Sequence, residues 1–271
     1  MKPLTWLLAA YDYLVLYLGL IWLGLLCLTW TLIATILYPL LPSRMGAQLG
    51  RYVIMAGFHV YISSLQLSRR CSFDLSALDA LREEAPLIIA PNHPSLLDAV
   101  MIISRLPNVT CIMKADLMNN VFLGAGARLA RYIPNESVRQ MVCLASQNIL
   151  SDSHLLLFPE GTRTIQLPIN TLKGITALIA QQAGVPVQTV LIETNSPYLS
   201  KGWSLFRKPE MPIFYRVRLG RRFSPPQNSH DFMAELEHYF VQELSHTTLS
   251  TPAASPEMES CQHHTQEIQH P

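Results

Sequence analysis

Formal charge is scarce in this 271-residue sequence: Asp, Glu, Lys and Arg make up 14% of it, where about 25% is usual for a globular domain. The apolar share, 49%, is ordinary, so the shortage has to be local. It is: no charged residue occurs from Tyr13 to Ser43, a run of 31 residues. A freely soluble, single-compartment globule does not carry such a run. A formal net charge of +1 excludes a strongly basic nucleic-acid binder, and the apolar content excludes disorder over most of the chain. Cysteine is sparse too. Cys27, Cys71, Cys111, Cys143 and Cys261 form no C-x-x-C pair and are odd in number. They read as reduced thiols in a cytosol-facing protein, with neither a disulfide framework nor a metal site. Gly124-Ala125-Gly126 lacks the third glycine of a dinucleotide loop, Leu129 standing there. No G-x-S-x-G elbow offers a nucleophilic serine.

What is present begins with the uncharged run. Leu14 to Tyr38 is almost unbroken Leu, Ile, Trp, Tyr and Ala. As a helix its 25 residues extend about 37 Å, enough to cross a hydrocarbon core of about 30 Å with tilt. Trp6, Tyr11 and Tyr13 flank one end and Tyr38 the other, where amphipathic rings settle at membrane interfaces. Pro39 and Pro42 are expected to stop the helix. A cleaved secretory signal is the competing reading, but its apolar stretch would be shorter and followed by an A-x-A-like site, which is missing. Arg44, Arg51, Arg69 and Arg70 beyond the run outnumber Lys2 before it. The positive-inside rule then puts the rest of the chain in the cytoplasm, on the inner face of the cytoplasmic membrane or its equivalent, held by a single span. Residues 52–68 repeat apolar positions at Ile54, Phe58, Tyr61 and Leu65. That spacing predicts an amphipathic helix lying at the interface or packed on the domain behind it.

Three regions follow: an anchor over 1–68, a domain over 69–246 and a tail over 247–271. The tail is rich in Thr, Ser, Pro, Gln and His with hardly any apolar content, and reads as disordered. Its three glutamates carry −3 of a total of +1, so the residues before it carry +4, a bias towards anionic lipid or phosphate. In the domain, strand patterns at 87–90, 109–113, 155–158, 187–192 and 213–219 alternate with helical ones at 96–104, 138–150, 172–183 and 231–244. Such alternation predicts an α/β fold with a largely parallel sheet flanked by helices, behind the membrane-anchoring helical segment.

Two blocks carry chemistry. Asn92-His93-Pro94-Ser95-Leu96-Leu97-Asp98 follows the strand at 87–90. Within one helix His93 and Asp98 would lie about 140° apart, but Pro94 keeps His93 out of the helix. His93 then sits in a turn, Asp98 in the first helical turn, and the carboxylate can accept Nδ1–H while Nε2 serves as a base. A structural reading competes: Ser95-x-x-Asp98 is also a capping pattern. The second block, Phe158-Pro159-Glu160-Gly161-Thr162-Arg163, follows the strand at 155–158. Pro159 and Gly161 suit a plain tight turn. The same turn would expose amides beside Arg163, whose planar fork matches phosphate oxygens, and Lys173 at the start of the next helix adds a cation. Both blocks would lie on the ligand-binding edge of a parallel sheet.

The H-x-x-x-x-D block and F-P-E-G-T-R at this separation resemble the glycerolipid acyltransferase family, close to the 1-acylglycerol-3-phosphate acyltransferases. The resemblance covers about 87–192 and implies acyl transfer from a thioester, acyl-CoA or acyl carrier protein, to a lysophospholipid-type hydroxyl in the membrane. It makes His93 the general base oriented by Asp98, with Glu160, Gly161, Thr162 and Arg163 shaping the acceptor site. Lys114 and Lys173 fall where the family tends to be basic. No other cofactor and no metal is implied, and the oligomeric state is left open. Where the family carries an Ile/Phe-x-Arg element, this chain has Tyr132-Ile133-Pro134-Asn135, with Arg128 and Arg131 nearby, and Arg131 joins Lys114 and Lys173 among the expected substrate-binding residues. Thr189 replaces a proline of a later strand. The acceptor side is therefore altered more than the chemistry, and lipid acceptors without a glycerophosphate come into view. A hydrolase using the same His–Asp pair and a silent lipid-binding protein are the rival readings.

Overall fold

The computed structural model of the chain describes residues 2–204 and 207–245, so the expected tail lies outside the described residues. Helix α1 runs over Lys2–Leu40 and α2 over Ser43–Leu67. Pro39 sits inside the last turn of α1, and the chain reverses at Leu41–Pro42. At 39 residues α1 is about 58 Å long. Among the described residues it is the one helix long and apolar enough to cross a membrane.

α1 is not free-standing. Near its start, buried Asp12 accepts from Arg70 Nε at 2.5 Å and Lys208 Nζ at 3.1 Å. Further on, Leu16 enters the main core, Thr31 Oγ1 donates to the Phe122 carbonyl at 2.7 Å, and Ala34 packs on Ala125 and Leu129. The opposite face shows Leu14, Leu18, Ile21, Leu25, Leu32 and Ile36 to the outside. α2 folds back along it, Tyr11 donating to the Ser68 carbonyl at 3.0 Å. Arg70 therefore stands at the start of α1, and of the four arginines counted for orientation, Arg44 and Arg51 lie near its far end.

The domain is built on one seven-stranded sheet. Its strands are β1 (Cys71–Asp74), β2 (Ile88–Pro91), β3 (Val109–Met113), β4 (Ile133–Pro134), β5 (His154–Leu156), β6 (Val187–Thr194) and β7 (Ile213–Phe223). They lie in the order β1-β7-β6-β2-β5-β3-β4, and every neighbouring pair is parallel except β6–β7. That exception has a local cause: among the described residues no helix intervenes between β6 and β7 to carry a crossover, so the chain returns antiparallel. β1 and β4 are short edge strands that the apolar pattern did not single out. Between the strands come α3 (Asp98–Ile103), α4 (Gly124–Leu129), α5 (Val138–Leu150) and α6 (Ile175–Ala183), and α7 (Ser229–Ser245) closes the domain. One core layer gathers α2, α3 and α1 side chains on one side of the sheet, and a second holds α5, α6 and α7 on the other. The two chemistry blocks leave β2 and β5, adjacent parallel strands in which Ile88 pairs with Leu155.

Candidate active site

α3 begins at Asp98, later than the pattern from Leu96 suggests, so His93 to Leu97 form a turn at the end of β2. Pro94 forbids helix at His93, and the turn brings the imidazole back over the helix start. His93 Nδ1 lies 2.8 Å from Asp98 Oδ2. The same oxygen accepts the Ser95 amide at 2.8 Å. The two readings of Asp98 are thus one arrangement: the bond that caps the turn also holds the carboxylate where it receives Nδ1–H. Asp98 has no solvent exposure, and its Oδ1 has no hydrogen-bond partner among the described residues. Burial pushes the Asp98 carboxyl up to about 6, against the pull of His93 and of the Ser95 amide. A carboxylate so placed fixes the tautomer in which Nδ1 carries the proton and Nε2 a lone pair. Nε2 has no partner among the described residues, and the ring stacks on Phe158 with centroids 3.9 Å apart.

Ser95 is used structurally. Its hydroxyl donates to the Tyr198 carbonyl at 3.0 Å, accepts the Leu97 amide at 3.2 Å, and lies 3.2 Å from the Tyr215 hydroxyl. Asn92 pins the end of β2 to β6, its amide donating to the Ile192 carbonyl at 3.0 Å and its oxygen accepting Ile192 N–H at 2.7 Å. These cross-chain partners left no mark in the sequence, being about a hundred residues from the turn they support.

The second block comes to the same place, with roles divided differently from those the sequence suggested. Glu160 is buried, and Oε1 accepts the His93 amide and the Thr164 hydroxyl, each at 2.8 Å, while Oε2 accepts the Asn170 amide at 2.9 Å. It fastens the two turns together and does not face open space. Arg163 Nη1 donates to the carbonyls of Leu199 and Ser200 at 2.8 and 2.9 Å, holding the loop after β6 beside the cleft. Gly161 has a φ of +68°, and a Cβ there would come 3.1 Å from the Lys173 side chain. Thr162 is half-buried and Lys173 is exposed.

Lys114 follows β3 on the same edge, exposed and paired with Asp116 at 2.6 Å. Arg131 is elsewhere. It donates to Ser43 Oγ at 2.8 Å and lies over the Tyr38 ring, at the junction of α1 and α2. Asn135 accepts the Ala115 amide at 3.1 Å and joins the loop after β3 to that after β4. No cluster of three potential metal ligands occurs among the described residues. The arrangement offers a buried carboxylate, an imidazole oriented by it, and flanking cations: a base beside a place for an anionic or polar group.

A model of the acyltransferase family matches residues 72–193. Over 183 residues the chain is 28% identical to lysophosphatidylcholine acyltransferase 2B of Rattus norvegicus, 64% of this chain and 34% of that protein. The chain thus spans about a third of the rat protein's length. Over 187 residues it is 22% identical to 1-acyl-sn-glycerol-3-phosphate acyltransferase of Pseudomonas aeruginosa, 65% of this chain and 70% of that one. The crystal structure of the 1-acyl-sn-glycerophosphate acyltransferase PlsC of Thermotoga maritima has the same fold, with a TM-score of 0.58 at 18% identity over 84% of this chain and 98% of that one.

Proposed function

From the match to the acyltransferase model over residues 72–193, we propose that the chain moves a fatty acyl group from a thioester, acyl-CoA or acyl carrier protein, to a lipid hydroxyl at the membrane. The observation that carries the reading is the 2.8 Å contact between His93 Nδ1 and a buried Asp98. His93 Nε2 takes the hydroxyl proton as the oxygen attacks the thioester carbonyl. The C–O bond forms, the C–S bond breaks, and the thiolate leaves without needing an acid. Asp98 supports the imidazolium that develops. With Ser95 committed to the turn, no acyl-enzyme is required. Lys114, Lys173 and the free edge of Arg163 supply positive charge for the acceptor headgroup, while Glu160 and Gly161 keep their turn in shape.

The anchor belongs to this function. The exposed apolar face of α1 enters the bilayer and seats the domain at the surface, so that an acceptor reaches the cleft from the membrane and the thioester from water. The excess of +4 before the tail favours the anionic cytoplasmic leaflet. A second reading of the acceptor rests on Asn135 and on Arg163 Nη1 already being engaged. With fewer arginines free, a lipid without a phosphate monoester fits as well as lysophosphatidic acid.

The decisive assay gives the membrane-bound protein both donors and lysolipids with and without phosphate. Acylated lipid is the expected product, and free fatty acid alone would make the protein a hydrolase. His93→Ala should lower transfer by about 10²–10⁴-fold while membrane association stays as it was; undiminished turnover would remove His93 from its role.

A further inference from the structure

Beside the α1–α2 turn, where α2, α4 and α5 meet the edge strand β4, a cavity of about 540 Å³ opens. Arg44, Arg51, Arg128 and Arg131 line it, and its wall contains no Asp or Glu. Elsewhere in the domain arginines are mostly paired, as with Arg105–Asp79, Arg218–Glu193 and Arg221–Glu235. None of these four has a carboxylate partner among the described residues. Arg51 is only 4% exposed, yet it donates to neutral oxygens alone, those of Ala130, Asn108 and Asn148. Arg128 donates to the Met118 carbonyl and Arg131 to Ser43 Oγ. The buried Tyr132 hydroxyl, in the same wall, has no partner among the described residues. The first turn of α2 reaches the cavity as well and carries no acidic side chain.

Four guanidinium groups around one space, one of them buried without a counterion, make a site that an anion completes. The rim says where the anion comes from. Tyr38, Leu40 and Met45 are 44%, 69% and 59% exposed around the turn that borders the cavity. Free phosphate would satisfy the arginines and leave this apolar rim unused.

We infer that this cavity binds the phosphodiester headgroup of an anionic phospholipid, whose acyl chains run out along the exposed side of the α1–α2 turn. The lipid is a membrane component and not the acceptor, since neither the His93 turn nor the Arg163 turn lines the cavity. The inference rests on the reading that α1 sits in the membrane but not on the chemistry at His93, and its test reads binding, so either can fail without the other.

Full-length protein in a neutral detergent is titrated with short-chain phosphatidylglycerol, short-chain phosphatidylcholine and inorganic phosphate, binding being followed as a rise in melting temperature. Phosphatidylglycerol should saturate, with the other two weaker by about tenfold or more. Arg44 and Arg128 are exposed. Changing both to Gln should leave the ligand-free melting temperature in place and weaken phosphatidylglycerol by about 25-fold, about fivefold per arginine. Arg44→Gln alone, about fivefold, serves if the double variant folds poorly. His93→Ala should bind like the unaltered chain. Absence of saturation, equal affinity for phosphatidylcholine, phosphate alone matching the lipid, or unchanged affinity in both Arg variants would each overturn the inference.

Discussion

At the His93–Asp98 pair, one carboxylate oxygen serves two donors and the other has none among the described residues. A fully buried, half-satisfied carboxylate is costly to ionise, which is why its carboxyl sits near 6 instead of the usual 3.8. Because the folded state holds this proton more tightly, the group's contribution to stability falls as pH rises from about 4 to about 6 and stays low above that. Asp98→Asn removes that slope, so the urea midpoint at pH 5 should fall relative to that at pH 8 in the variant. Transfer by the unaltered protein should fall below about pH 6 as Asp98 takes up a proton, and Asp98→Asn should lower kcat far more than it changes KM. Glu160 gives a different signature. Its two oxygens take three donors, and Gln offers one acceptor with an NH₂ facing an N–H. Glu160→Gln should cost about 1–3 kcal/mol in thermal or urea unfolding. The H-x-x-x-x-D spacing made the pair legible in the sequence. The clamp role of Glu160 was not, because its partners His93, Thr164 and Asn170 meet only when two turns share an edge.

Among the elements, α1 and β5 carry the testable consequences. A Cβ on Gly126 of α4 would lie 2.7 Å from the Trp30 ring of α1, so the two helices touch there without room for a side chain. Gly126→Val should push α1 off the domain and lower the melting temperature, with Trp30 fluorescence shifting as its surroundings change. Asp12→Ala leaves Arg70 and Lys208 partly buried without a counterion and should cost about 1–3 kcal/mol, between the values for exposed and fully buried pairs. At the start of β5, His154 accepts the Leu87 amide on Nδ1 at 3.3 Å and donates from Nε2 to the Leu81 carbonyl at 3.0 Å. That pattern requires the neutral ring, and burial lowers its pKa. The unfolded chain then binds the proton more readily, so stability through this group is present above about pH 6.5 and is lost as pH falls below it. His154→Gln should flatten that loss in denaturation curves compared at pH 5.5 and 7.5.

For the whole molecule, the proposed membrane seating turns on the docked α1. A span that stood clear of the domain would place catalysis at a distance from the bilayer. Here Asp12, Thr31 and Ala34 tie the helix along the domain while its other face remains apolar. Trp6 and Trp22 are 78% and 39% exposed on α1. In single-tryptophan variants both should be quenched by lipids brominated in the acyl chain, and Trp203, on the loop after β6, should not. A topology reporter fused after Pro271 should read out on the cytoplasmic side; the opposite readout would reverse the assigned orientation.

The sequence by itself determined what depends on local pattern. The uncharged run that begins at Tyr13 is long and apolar enough to be read as a helix, and it forms α1 as far as Leu40. The alternation of apolar runs yielded β3 and α5 at their observed limits, Val109–Met113 and Val138–Leu150, since both periods are strong there. Tertiary structure alone decided which groups meet across long separations. It sent Arg131 to the α1–α2 junction while Arg163 stayed by the cleft, and made Asp12 a buried partner of Arg70. Each of these is settled by charge pairing and packing between segments far apart in the chain, which no local pattern of residues encodes.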